Sequence, residues 1–194
     1  MIRTSSLHIP ARLGALLLAA AASSGVAGPA AADNLAPADA AALQNFKLTE
    51  GFLQKWQAYE KEAAAKPCEL SPLLAMQGDT DKTGSMDTVI KRFDGQPGVH
   101  DALARNGLTA REAILGLGTL MGAAIQDMAK AHPDMVKNGN ITMHSKLNIS
   151  PANMEFYHQH KAEIHAYQAK LGQEMLKRNG GHLPACLGPK RPSR

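Results

Sequence analysis

Apolar residues recur at helical spacing along most of this chain, most clearly between Gly107 and Ala131, GLTAREAILGLGTLMGAAIQDMAKA. Ala113, Ile114, Leu117, Leu120, Met121, Ala124, Ile125 and Met128 stand three and four apart, which places them on one broad stripe of a 3.6-residue helix. Arg111, Gln126, Asp127 and Lys130 fall largely outside that stripe. Thr109, followed three residues later by Glu112, makes a capping box at the start of the run. His132-Pro133 stops it, because the residue before a proline is pushed out of the helical region.

The same period predicts two more long helices. Thr49 caps TEGFLQKWQAYEKEAAAK, with Phe52, Leu53, Trp56, Tyr59 and Ala63 as its buried stripe, Glu62 and Lys66 as a supporting pair four apart, and Lys66-Pro67 as its stop. Ser150-Pro151 opens the last helix, Pro151 to Arg178, on a capping serine and a proline at the first helical position. Met154, Tyr157, Ile164, Leu171 and Met175 mark its inner line, and Asn179-Gly180-Gly181 ends it. Shorter helices are predicted behind Pro37, after Ser71-Pro72, at MDTVIKRF, and at PGVHDALARNG with Val99, Ala102 and Leu103 inward. MVKNGNITMHSKLN reads as a glycine-broken loop, and no alternating strand pattern occurs. The predicted class is all-α, an irregular helical bundle of three long and several short helices.

Glycines interrupt the central helix at 116, 118 and 122, and each costs on the order of 0.5 to 1 kcal/mol relative to alanine. Gly118 and Gly122 share a face, where a partner helix could approach closely. Tight packing is the favoured explanation. A ligand groove along Gly116, Gly118 and Gly122 is the alternative. A membrane-dimer motif is set aside, since Arg111, Glu112 and Asp127 leave an apolar run well short of the roughly 20 residues a span needs.

The N-terminus changes the picture. Arg3 and Arg12 give a positive start ahead of a short apolar core, Leu13 to Ala22, and small residues follow, the layout of a bacterial export signal. Cleavage after Ala32 is preferred, with a cut after Ala27 as the alternative. Residues 1–32 are then signal peptide and residues 33–194 a single helical domain with flexible ends at 33–48 and 187–194, placed in the periplasm or outside the cell. Loss of the two arginines reduces 21 basic residues to 19 against 17 acidic ones, so the net charge falls from +4 to +2. A balance that mild points to neither nucleic acid nor an anionic membrane as partner. Export also places Cys68 and Cys186 in an oxidising compartment, which predicts one disulfide between them. Neither lies in a Cys-x-x-Cys or haem-attachment motif.

Candidate chemistry is sparse. In GDTDKTGSMD, Asp79, Asp81, Gly84, Ser85 and Asp87 fit five positions of a calcium-binding EF-hand loop, but Ile90 stands where the bidentate glutamate belongs, so a solvated turn is favoured. Glu155 and His158 form the carboxylate-imidazole half-site that two-metal bundles use, without a second copy. His158 and His165 project on one side of the last helix about 10 Å apart along its axis, too far for both to hold one metal. No metal site is favoured, with Glu155, His158 and His165 as its candidates. No cofactor is predicted; haem b between a methionine and a histidine, or a transition metal, is the alternative. There is no nucleophile elbow, no His-Glu-x-x-His and no phosphate loop. Nothing names a reaction.

Three helix starts, Leu48-Thr49-Glu50 through Trp56, Gly107 to Glu112, and Ile149 to Asn153, give the chain its resemblance to small, uncharacterised secreted all-helical proteins of bacteria. The resemblance implies a helical bundle and no activity. The function expected is that of an exported, non-catalytic module that binds a protein partner or a small apolar ligand; the alternative is a periplasmic metal or haem carrier. No transmembrane span is expected in the mature chain.

Overall fold

Thr109 leaves the helical conformation, and its hydroxyl accepts from the Glu112 backbone N–H while the Glu112 carboxylate accepts from the Thr109 N–H, which closes the capping box at the start of the longest apolar run. In the computed structural model, which describes residues 36–72, 85–134 and 148–187, this is the start of the central helix. The described residues form seven helices and no strand: α1 (Pro37–Asn45), α2 (Glu50–Ala65), α3 (Pro67–Leu70), α4 (Met86–Asp94), α5 (Val99–Arg105), α6 (Ala110–Ala131) and α7 (Pro151–Arg178). The signal segment 1–32, most of the acidic loop (residues 79–84) and the loop 135–147 lie outside the described residues.

Local chemistry accounts for most boundaries. Thr49, Ser85 and Ser150 each accept a backbone N–H from three residues ahead, and Pro37 and Pro151 stand in the first turn of their helices. Helix α5 ends in Gly107, whose φ of +67° is the left-handed conformation that glycine adopts without strain. The Leu108 N–H then returns to the Leu103 carbonyl at 2.9 Å and the Gly107 N–H to that of Ala104 at 3.0 Å, the hydrogen-bond pair of a Schellman stop.

Helix α6 is the centre of the bundle. It packs against α1, α4, α5 and α7, and α7 also packs along α2. Its burial is correspondingly broader than one stripe: Leu115, Gly116, Thr119, Gly122, Ala123 and Ala129 are buried besides Ala113, Ile114, Leu120 and Ala124. Met128, assigned to the inner stripe by spacing, is instead 41% exposed. Helices that cross at an angle touch over a limited length, and in the last turns of α6 the burial has moved to Ala129.

The five stripe residues predicted for α2 and the five for α7 are all buried. An aromatic series follows α2, from Phe46 to Phe52, Trp56, Tyr59 and on to Phe93 of α4, with ring centroids 5.3 to 6.4 Å apart. The supporting pair expected between Glu62 and Lys66 does not form. Lys66 leaves the helix at its C-cap and pairs with Glu69, while Glu62 accepts from Arg105 and Asn106 and so joins α2 to α5. The Cys68–Cys186 disulfide is present, with Cα atoms 5.5 Å apart. No single described helix is long and apolar enough to cross a membrane.

Candidate functional site

The glycine face of α6 is occupied by side chains of the protein itself. A Cβ at Gly116 would fall inside the Phe52 ring, and one at Gly118 would sit 2.9 Å from Leu43 Cδ2 of α1. Gly122 is buried. The glycines let an aromatic of α2 and a leucine of α1 approach the α6 backbone closely, and none of the three lines the apolar cavity that the bundle does contain.

That cavity lies on the adjoining strip of α6. Its volume is about 140 Å³, and its walls come from three helices: Trp56, Glu60 and Ala63 of α2; Leu117, Leu120, Met121 and Ala124 of α6; Tyr157, Ile164, Leu171 and Met175 of α7. Pro67, Ser71, Pro72 and Leu187 close one end. Pro67 and Leu187 are the chain neighbours of Cys68 and Cys186, so the disulfide fastens the two sides of the cavity at that end. Tyr59 of α2 donates to the Leu70 carbonyl at 2.6 Å, which ties α3 to α2. Burial and the nearby Glu62 carboxylate push the Tyr59 phenol well above its ordinary range.

Among the described residues Glu60 is the one acid in this lining, and no lysine, arginine or histidine accompanies it. Loss of water around the carboxyl pushes its pKa from the ordinary 4.5 up to about 8, against a weaker opposing hydrogen bond from the Trp56 side chain four residues earlier. Its setting in the apolar lining therefore favours the protonated acid. On α7 the facing phenol of Tyr167 donates to the Gln57 carbonyl, and burial first, then Glu60 and Glu174, push it up to about 12. The apolar stripe of α2 does not by itself mark Glu60 as part of a site. A signal is nonetheless present in the sequence, since Glu60 falls between Trp56 and Leu53 on the helical wheel, at the edge of the apolar stripe.

The histidines of α7 are engaged elsewhere. His158 Nε2 meets Asp127 Oδ1 of α6 at 2.9 Å, and Lys161 reaches the other oxygen of the same carboxylate at 3.3 Å. Partial burial raises the Asp127 pKa, but these bonds outweigh it and hold the carboxyl below its ordinary range. His165 Nε2 is 3.1 Å from the Tyr157 hydroxyl, and Glu155 accepts from Gln159. Glu155, His158 and His165 are thus not brought together, and among the described residues no group of three or more His, Cys, Asp and Glu converges on one point. Met121 and Met175 line the cavity and no histidine is in its lining, so the methionine-histidine pair considered for haem b is not assembled there.

A wider and more open depression is bordered by Lys130 of α6 and by Ile149, Met154 and His158 at the start of α7. No family model, curated protein or solved structure matches the chain.

Proposed function

We propose that this protein is an exported, non-catalytic binding protein whose helical bundle takes a small apolar ligand between α2, α6 and α7. The observation that carries this reading is the apolar cavity of about 140 Å³ inside the bundle. Dry apolar cavities of about 150 Å³ bind benzene-sized molecules. The N-terminal signal pattern and the long-range disulfide support export.

The chain has one tryptophan, and Trp56 lines the cavity. Its fluorescence therefore reports occupancy directly. Titration of the mature, oxidised protein with toluene should change Trp56 emission in a saturable way, and Ala124→Phe, which fills the cavity from α6, should weaken that response tenfold or more. A flat titration with the wild-type protein sinks the proposal. An absorption spectrum and metal analysis of protein isolated from its own periplasm tests the carrier alternative: a bound chromophore or stoichiometric metal would replace the apolar-ligand function with that of a carrier.

A further inference from the structure

A purely hydrocarbon ligand leaves one feature of the cavity unexplained. Glu60 projects among Trp56, Ala63 and the apolar side chains of α6, and an occupant that offered it no hydrogen bond would take away what water still reaches the carboxyl. The groups that face it are few. On α2 its neighbour is the Trp56 indole. From α7 come the phenols of Tyr157 and Tyr167 and the amide of Gln168, from the α3 end the Ser71 hydroxyl, and from α6 only Leu117, Leu120, Met121 and Ala124. No cation of the described residues is among them. A ligand carboxylate would keep its charge with no cation in the lining to neutralise it, whereas a ligand cation would find an aromatic face and, once Glu60 gives up its proton, an anionic acceptor.

We infer that the ligand is a small primary amine with one aromatic or short alkyl body, its ammonium hydrogen-bonded to the Glu60 carboxylate and its body resting against Trp56, Leu117 and Leu120. This deepens the apolar-ligand reading and rests on it. An ammonium supplies three donors, so it can satisfy the carboxylate and one further acceptor such as the Gln168 amide oxygen. Trp56 adds a cation-π attraction, which strengthens as water is excluded. Part of the desolvation that opposes a buried ion pair is already present in the free protein, because Glu60 is part-buried among apolar side chains before any ligand arrives.

The protons balance in a way that can be measured. At pH 7 the free amine is an ammonium and Glu60 carries a proton. Pairing needs the carboxylate, so the Glu60 proton leaves to solvent as the ammonium enters. Affinity should then rise about tenfold per pH unit up to about 8 and level off above it.

The test uses the mature, oxidised protein and three probes of similar size: benzylamine, toluene and phenylacetate. Titration calorimetry at pH 8.5 should find benzylamine at least tenfold tighter than toluene, and the affinity for benzylamine should fall by about a hundredfold at pH 6. At pH 7, calorimetry in two buffers of different ionisation enthalpy should show close to one proton released per benzylamine bound. In Glu60→Gln the ratio of benzylamine to toluene affinity should collapse to about one, with the far-ultraviolet circular dichroism of a folded bundle retained. Saturable toluene binding with benzylamine no tighter at pH 8.5 overturns the amine inference and leaves the cavity reading standing. Tighter binding of phenylacetate than of benzylamine overturns it as well. If none of the three probes binds, the cavity reading fails and takes this inference with it.

Discussion

Gly116 and Gly118 are two residues apart on α6, yet a methyl group meets different neighbours at each. At 116 it would overlap the Phe52 ring, which is itself held between Phe46 and Trp56; at 118 it would press only on the tip of Leu43. Gly116→Ala should therefore destabilise by about 1 to 3 kcal/mol, a fall in melting temperature of roughly 3 to 10 °C, while Gly118→Ala should stay within about 2 °C of wild type. Thermal melts followed by circular dichroism compare the two, and equal falls would show that the Phe52 ring can move aside. Glu60 carries the second expectation. Its folded pKa of about 8 lies above the ordinary 4.5, so the folded state binds the extra proton between these values and stability declines as pH rises from about 4.5 to 8. Glu60→Gln, which cannot ionise, should gain melting temperature over wild type as pH is raised from 5 to 8. A constant difference across that range would show that Glu60 is not desolvated.

Helix α7 contributes one side chain whose role the apolar pattern does not announce. Asn153 is 3% exposed; its Oδ1 accepts from the Leu48 N–H at 2.9 Å and its Nδ2 donates to the Phe46 carbonyl at 2.6 Å. The extended segment between α1 and α2 has no helical partner for these backbone groups, and Asn153 satisfies both. Asn153→Ala should cost about 1 to 3 kcal/mol in chemical denaturation, because it leaves a buried donor and a buried acceptor unmatched. Asn153→Asp keeps the acceptor and loses the donor, and should fall between wild type and the alanine variant. The start of α7 was legible as Ser150-Pro151, since capping is a matter of three or four successive residues. The clamp was not, because its two acceptor and donor groups lie more than a hundred residues away in the chain.

Across the molecule, the disulfide links the α3 end to the segment after α7 over a separation of 118 residues. The chain-entropy treatment gives roughly 5 kcal/mol for a loop of that size, and native-state relaxation reduces it in practice. Replacing both cysteines by serine should lower the melting temperature by up to about 10 °C. It should also weaken toluene binding, because Pro67 and Leu187 would no longer be tied across the cavity end. Thiol titration of denatured, unreduced protein should find no free thiol. A double variant with unchanged melting and binding would show that the bundle packs this end without the bridge.

The sequence by itself determined where helices begin and end and which line of each faces inward. Thr49, Ser85, Thr109, Ser150 and the stop at Gly107 act on backbone groups within one turn, and the buried lines of α2 and α7 follow from a 3.6-residue period. Tertiary structure decided what fills the space between those lines. It set Phe52 against Gly116, drew Glu62 away from Lys66 to Arg105, left Met128 at the surface, and placed Glu60 in the wall of a cavity that three helices share. Each of these depends on which distant side chain occupies the facing volume. A period in the sequence reports that a face is buried; the neighbours that bury it are chosen only when the helices pack.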